Sequence, residues 1–280
     1  MRFTKMEGLG NDYIYVNLFT ETVQDAPTLA RRISDRHFGV GSDGLVLIAP
    51  SEKADVRMIM YNADGSRGQM CGNASRCIAR YVYERGIVPK ESMTLETDSG
   101  IKHMTLKVEN GSVREVTVDM GEPVLERAKV PCTLEGHGLC VPMEVDGRTF
   151  EVIPVGVGNP NVVVLLDESL DTFDLDHYGP LFETHPAFPN KTNVEFINCL
   201  GPDHIRMRVW ERGSGMTMAC GSGACAAAVA SIHYYHVSPE MTVSLDGGDL
   251  FIAVRDGRMF MTGPAEFICD GEYPAQSHAI

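Results

Sequence analysis

The chain has 280 residues, with 24 Lys and Arg against 38 Asp and Glu, a net charge of −14, and 44% hydrophobic residues. It is long enough for two lobes with a core each, ordinary in composition for a soluble globular enzyme, and acidic enough to repel a phosphate backbone, which speaks against nucleic acid as a partner. Met1 to Gly8 lack the apolar stretch of a secretory signal, and no run approaches the roughly 20 apolar residues of a membrane-spanning helix, so the chain is expected to stay in the cytoplasm with no membrane partner.

In chain order, Gly8-Leu9-Gly10-Asn11 reads as a turn into a strand over 12–17. A helix over 27–37 follows, then strands over 44–48 and 57–61, a Gly-rich loop, and a helix over 72–84 that begins at Cys71-Gly72. The plan then restarts. Gly156-Val157-Gly158-Asn159 repeats the first turn 148 residues on, and Cys220-Gly221 repeats Cys71-Gly72 at an offset of 149. Strands are expected over 162–166, 192–197 and 205–210, and a helix over 221–233. Met93-Thr94-Leu95 returns as Met241-Thr242-Val243, and Glu109-Asn110-Gly111 as Arg255-Asp256-Gly257. Several matches in one order at nearly one offset point to a tandem duplication. The expected fold is α+β: two lobes related by a pseudo-twofold axis, each a β-sheet wrapped barrel-like around a central helix. The first lobe is expected over 1–122, the second over 123–264, and 265–280 as a C-terminal tail returning to the first.

The eight cysteines stand at 71, 77, 132, 140, 199, 220, 225 and 269. A long unsecreted chain with room for a large core favours free thiols over a disulfide framework. No Cys-x-x-Cys pair exists and no His sits at ligand spacing beside them, so no metal is expected. Cys77 and Cys225 fall on the inward faces of the two helices and read as core packers.

Cys71 and Cys220 read differently, because each stands at a helix entrance. The unpaired N–H groups and positive dipole end there favour a thiolate and lower its pKa from about 8.5. Gly72 and Gly221 allow close approach of a ligand, and Asn73 and Ser222 add first-turn donors. Two such entrances trap one carboxylate and place a thiol on each face of the α-carbon beside it. One thiolate removes the α-proton and the opposite thiol returns one, which inverts the centre without a cofactor. The carbanion must then be stabilised by N–H donors in a site that excludes water. Asn62 and Glu211 each lie nine residues before their Cys, behind Tyr61 and Trp210, and Asn11 and Asn159 lie 60 and 61 before it. Each lobe therefore brings polar side chains towards its thiol; the competing reading of any single Asn beside Gly is a turn residue.

The motifs Met6-Glu7-Gly8-Leu9-Gly10-Asn11-Asp12-Tyr13, Asn62-Ala63-Asp64-Gly65-Ser66, Met70-Cys71-Gly72-Asn73, Gly158-Asn159-Pro160, Thr192-Asn193-Val194-Glu195-Phe196, Glu211-Arg212-Gly213 and Ala219-Cys220-Gly221-Ser222 resemble those of the diaminopimelate epimerases, over essentially the whole chain. The resemblance implies cofactor-free epimerisation of L,L-diaminopimelate to the meso form, for lysine and peptidoglycan precursors. It implies Cys71 and Cys220 as the acid/base pair. Asn11, Asn62, Asn159, Asn193, Glu211 and Arg212 would contact the small-molecule substrate, with Gly72, Asn73, Gly221 and Ser222 at its carboxylate. Arg212 suits a bidentate grip on the distal carboxylate. The family usually carries His where this chain has Asn161, a position held to influence the thiols together with Glu211, and Glu where it has Met216. A homodimer is the expected assembly. The competing readings are a racemase for another amino acid such as histidine or proline on the same scaffold, and a binding module that kept the cleft. A dinucleotide-binding fold fails because the first Gly-x-Gly lacks its third Gly and precedes a strand.

Overall fold

The computed structural model describes residues 1–274. In chain order it contains β1 (Arg2–Gly8), β2 (Asn11–Asn17), α1 (Ala26–Ser34), β3 (Gly44–Ala49), β4 (Val56–Asn62), β5 (Arg67–Gly68), α2 (Gly72–Glu84), β6 (Ser92–Thr97), β7 (Gly100–Glu109) and β8 (Ser112–Gly121). There follow β9 (Val141–Val145), β10 (Arg148–Gly156), β11 (Pro160–Leu165), α3 (Leu175–Glu183), β12 (Asn193–Gly201), β13 (His204–Glu211), β14 (Gly215–Thr217), α4 (Gly221–Tyr235), β15 (Glu240–Leu245), β16 (Gly248–Arg255), β17 (Arg258–Gly263) and β18 (Glu266–Glu272). The chain divides into two compact units, one of Met1–Val118 with 263–274 and one of Asp119–Thr262. Of the expected tail, 275–280 lie outside the described residues. Among the described residues no helix is long and apolar enough to cross a membrane.

The two units repeat one topology. In the first, β1 pairs antiparallel with β18 and with β2, β2 runs parallel to β3, and β3 pairs antiparallel with β4. β4 then carries β5 antiparallel and β6 parallel, and β6, β7 and β8 form a meander. In the second unit β9, β10 and β11 are antiparallel neighbours, β11 runs parallel to β12, and β12 pairs antiparallel with β13. β13 carries β14 antiparallel and β15 parallel, and β15, β16 and β17 close the series as a meander. Among the described residues, strands in both parallel and antiparallel pairings and four helices make this an α+β fold.

Local chemistry sets the helix limits. The Asp25 carboxylate caps α1 by accepting from the Thr28 N–H at 3.1 Å, and Ala26, Ala30 and Ile33 form its buried stripe against β3 and β4. The helix ends at Ser34, short of the expected 37, because the Asp35 carboxylate accepts from the N–H groups of His37 and Phe38 and turns the chain away. α4 is a run of small residues, with Ala226, Ala227, Ala228 and Ala230 fully buried. It packs against β10, β11, β12, β13, β15 and β16, and the small side chains of its first turns let these strands approach closely. α3, absent from the sequence expectations, lays Leu175 and Phe182 into a core with Phe150, Phe173 and Phe196.

β3 is buried along its whole length, between β2 and β4 and beneath α1. Its first residue, Gly44, lies so close to β4 that a Cβ would sit 2.2 Å from the Tyr61 carbonyl oxygen. Gly44→Ala is expected to destabilise the protein by about 3 kcal/mol, the upper end for overpacking, since backbone cannot move aside as a side-chain tip can. Urea titration checks this, and a wild-type midpoint would contradict the close approach.

Candidate active site

The first unit builds its site on a tight hairpin. Leu9 and Gly10 take positive φ angles of 59° and 81°, the pair of left-handed positions that a two-residue turn between β1 and β2 requires. Asn11 therefore starts β2 in a fixed register opposite Gly8. Its amide nitrogen donates to Asp43 Oδ2 at 2.8 Å, which leaves its Oδ1 to accept from Cys71 Sγ at 3.5 Å and Asn73 Nδ2 at 3.4 Å. Asp43 is fixed in turn by the Arg36 guanidinium at 2.9 Å and by the Asp12 backbone N–H at 3.1 Å. Burial, followed by the Asp12 charge, holds the Asp43 carboxyl above the usual carboxylate range.

Cys71 caps α2. Its backbone is extended, its Sγ accepts from the Ala74 N–H at 3.5 Å, and its carbonyl oxygen accepts the Ser75 hydroxyl at 2.8 Å. Gly72 and Asn73, both buried, form the first turn, and the fully buried Arg76 donates to Asn73 Oδ1 at 2.9 Å and to the Pro264 carbonyl at 2.9 Å. Asn62 does not join this group. It is exposed at the end of β4, and its amide donates to the Ser66 hydroxyl of its own turn at 2.9 Å. Cys77 is fully buried, and burial raises its thiol to about 12, which suits a packing role.

The second unit repeats the capped helix with different surroundings. Cys220 caps α4, with Sγ accepting from the Gly223 N–H at 3.4 Å and lying 3.5 Å from the Ser222 hydroxyl. The expectation of a lowered pKa fails here. Burial, then the charges of Glu211 and Glu195, push the Cys220 thiol well up, against the weaker pull of Ser222 and Gly223. A helix dipole contributes a fraction of a charge in the first turn, less than the loss of water and two nearby carboxyl groups. Gly221 and Ser222 stand in that first turn.

A chain of side-chain amides runs from the second turn to the Glu211-Arg212 loop. Asn161, fully buried, donates to the Asn159 carbonyl at 3.0 Å and side-chain oxygen at 3.3 Å. Its Oδ1 accepts from Asn193 Nδ2 at 3.1 Å, and Asn193 Oδ1 accepts from the Arg212 backbone N–H at 2.9 Å. The parallel register of Asn161 opposite Asn193 makes this possible. The exposed Arg212 guanidinium donates to the Asn190 carbonyl at 3.2 Å, and Glu211 Oε1 accepts from the Thr217 hydroxyl at 2.6 Å.

Two residues given no role in the sequence analysis hold this machinery, and a third lies beside it. Asp43 orients Asn11. Glu183 accepts from the Trp210 indole at 2.9 Å, the Gly213 N–H at 3.1 Å and Lys191 at 3.1 Å, so it clamps both flanks of Glu211-Arg212. Glu195, on β12, is fully buried, and among the described residues neither of its carboxyl oxygens is hydrogen-bonded. Glu195 stands in one of the motifs quoted above, yet nothing in its sequence neighbourhood shows that it is buried. Asp43 and Glu183 have no local sequence signal, since their partners lie up to 32 residues away.

The family profile described as diaminopimelate epimerase matches residues 3–126 and 153–268. The diaminopimelate epimerase of Pelotomaculum thermopropionicum is 51% identical over 278 residues, covering 98% of this chain and 99% of its own length. That of Phocaeicola vulgatus is 51% identical over 274 residues, covering 97% and 98%. Among solved structures, a probable proline racemase from Agrobacterium radiobacter superposes with a TM-score of 0.73 at 16% identity, over 98% of this chain and 93% of that one. A hydroxyproline epimerase from Agrobacterium vitis gives 0.69 at 16% identity, over 97% and 91%. The latter two establish a shared fold; the profile and the near-full-length relatives establish more, and this chain belongs to the diaminopimelate epimerase family.

Proposed function

We infer that the chain epimerises diaminopimelate between its L,L and meso forms, with Cys71 and Cys220 as a two-base pair that needs no cofactor. The observation that carries this is the doubled helix entrance, in which the cysteine thiol of each unit caps the first turn of a buried helix. Such an entrance offers N–H donors to a carboxylate and to the enolate oxygens that develop as the α-proton leaves. In this reading Asn11, Asn73 and Asn159 orient the reacting end, and Asn193, Glu211 and Arg212 hold the distal amino-acid end, with Asn62 reaching substrate only after leaving Ser66. One thiolate takes the α-hydrogen as a proton, the electron pair moves into the enediolate, and the other thiol returns a proton to the opposite face. The reading also makes the enzyme a cytoplasmic homodimer serving lysine and peptidoglycan precursor synthesis.

The test is incubation in deuterium oxide with L,L-diaminopimelate and a panel of L-amino acids, in the presence of EDTA and without pyridoxal phosphate. Deuterium is expected at one α-carbon of diaminopimelate, together with the meso isomer. Exchange confined to another amino acid would move the substrate assignment, and a requirement for added pyridoxal phosphate would sink the mechanism.

A further inference from the structure

Among the described residues, Glu195 is a buried carboxyl with both oxygens left unsatisfied, where other buried side chains such as Tyr15 and Ser231 leave one polar atom so. It sits mid-strand in β12, in register with Val163 of β11 and Val209 of β13, and is fully buried. Among the described residues, neither carboxyl oxygen has a hydrogen-bond partner. An unsatisfied buried carboxyl costs stability, so its presence calls for a reason. The side chain is aimed at the start of α4: a Cβ built on Gly223 would lie 2.7 Å from Glu195 Oε1 and 3.0 Å from its Cγ. That same Gly223 donates its N–H to Cys220 Sγ at 3.4 Å. The carboxyl and the thiol thus press on one glycine, and Gly is needed there because any side chain would collide with the carboxyl.

We propose that Glu195 is a positioning residue for Cys220: packed without partners against the first turn of α4, it holds the proton on that thiol. This rests on the assignment of Cys220 to the acid/base pair and adds to it the group that sets the protonation of Cys220 at rest. Two negative charges so close in a dry site repel strongly, so the pair loses its first proton far more easily than its second. A carboxyl is intrinsically a stronger acid than a thiol by about 4 pH units, and burial moves both upwards. The carboxyl therefore ionises first and the thiol keeps its proton. The titratable groups that bear on Glu195 are Cys220 at the head of α4 and Glu211 at the end of β13; its register neighbours Val163 and Val209 are apolar. Asn161, on neighbouring β11, adds no titratable group of its own.

The proposal separates charge from shape, because Gln keeps the shape of Glu without its charge and Asp keeps the charge without the reach. The measurement is the pH dependence of Cys220 modification by methyl methanethiosulfonate, followed by peptide mapping of the whole protein. It needs no substrate, so its failure is distinguishable from a wrong substrate assignment. In Glu195→Gln the Cys220 midpoint is expected to fall by about one pH unit or more, as removal of a neighbouring like charge requires, with tenfold faster modification on the acid side of the wild-type midpoint. Glu195→Asp is expected to shift it by less than half as much, although it packs worse and melts lower. An unmoved midpoint in Glu195→Gln, or an equal shift in Glu195→Asp, would overturn the proposal, since a purely structural role spares Gln and penalises Asp.

Discussion

Cys71→Ala and Cys220→Ala each lower the kcat of epimerisation by at least ~10³-fold, the loss expected when one of two acid/base groups disappears. The remaining thiol still faces one side of the α-carbon. It removes the hydrogen from that side and returns deuterium to it, so each variant exchanges a single stereoisomer of the substrate, and the two variants prefer opposite isomers. Chiral chromatography with mass detection reads this directly. Each variant also loses a helix cap, at about 0.5–2 kcal/mol, so stability is measured alongside. Cys77→Ala and Cys225→Ala are the controls: both thiols are fully buried in their units, and their loss is expected to lower the melting temperature while sparing kcat. If either control matched the catalytic loss, the thiols would be misassigned, and near-normal epimerisation by both Cys71→Ala and Cys220→Ala would end the two-base mechanism.

Glu183→Gln raises KM for diaminopimelate roughly tenfold or more and destabilises the protein by about 2–4 kcal/mol, on the scale of charge-assisted hydrogen bonds lost together. The reason is donor arithmetic. Trp210, Gly213 and Lys191 all point donors at Glu183, and Gln would answer one edge of them with an NH₂ group. The loop bearing Glu211 and Arg212 then loses the clamp on both flanks. Burial alone would raise the Glu183 carboxyl, but the hydrogen bonds from Trp210, Lys191 and Gly213 outweigh it and hold it below the usual range. Its contribution to stability is therefore complete above the ordinary glutamate value of about 4.3 and is lost as pH falls through the lower folded value. Acid titration of stability should show a step in that range in wild type that is missing in Glu183→Gln. Equal acid sensitivity of the two proteins would show that Glu183 is not the clamp.

The sequence was most readable where local chemistry and the internal repeat spoke together. The starts of α2 and α4 fall directly after Cys71 and Cys220 because an extended cysteine followed by glycine is itself the cap. The turns at Gly8 and Gly156 were readable for the same reason, although the second is one residue longer, which accounts for the spacings of 60 and 61 to the cysteines. What stayed hidden depends on contacts distant in sequence. β1 precedes the first turn signal and gains its place by pairing with β18 at the far end of the chain. α3 has Pro180 within it and a packing partner, Trp210, that no local pattern reveals. The thiol's acidity was misread for Cys220 because a helix entrance is visible in sequence, whereas burial and a carboxyl arriving from β12 are not.

On the two-base reading proposed above, each sulfur is both helix cap and proton carrier, which gives the enzyme a pair of built-in indicators. An anionic sulfur is a stronger acceptor than a neutral one, so the Ala74 N–H and the Gly223 N–H each sense the ionisation of the thiol they cap. On that reading, every turnover that leaves one sulfur protonated and the other ionised strengthens one of these bonds and relaxes the other. Their two amide resonances in a nuclear magnetic resonance spectrum should move in opposite senses as the occupancy of the proton changes hands, reporting the state of the reaction from the backbone, without a label on the substrate or a probe on the protein.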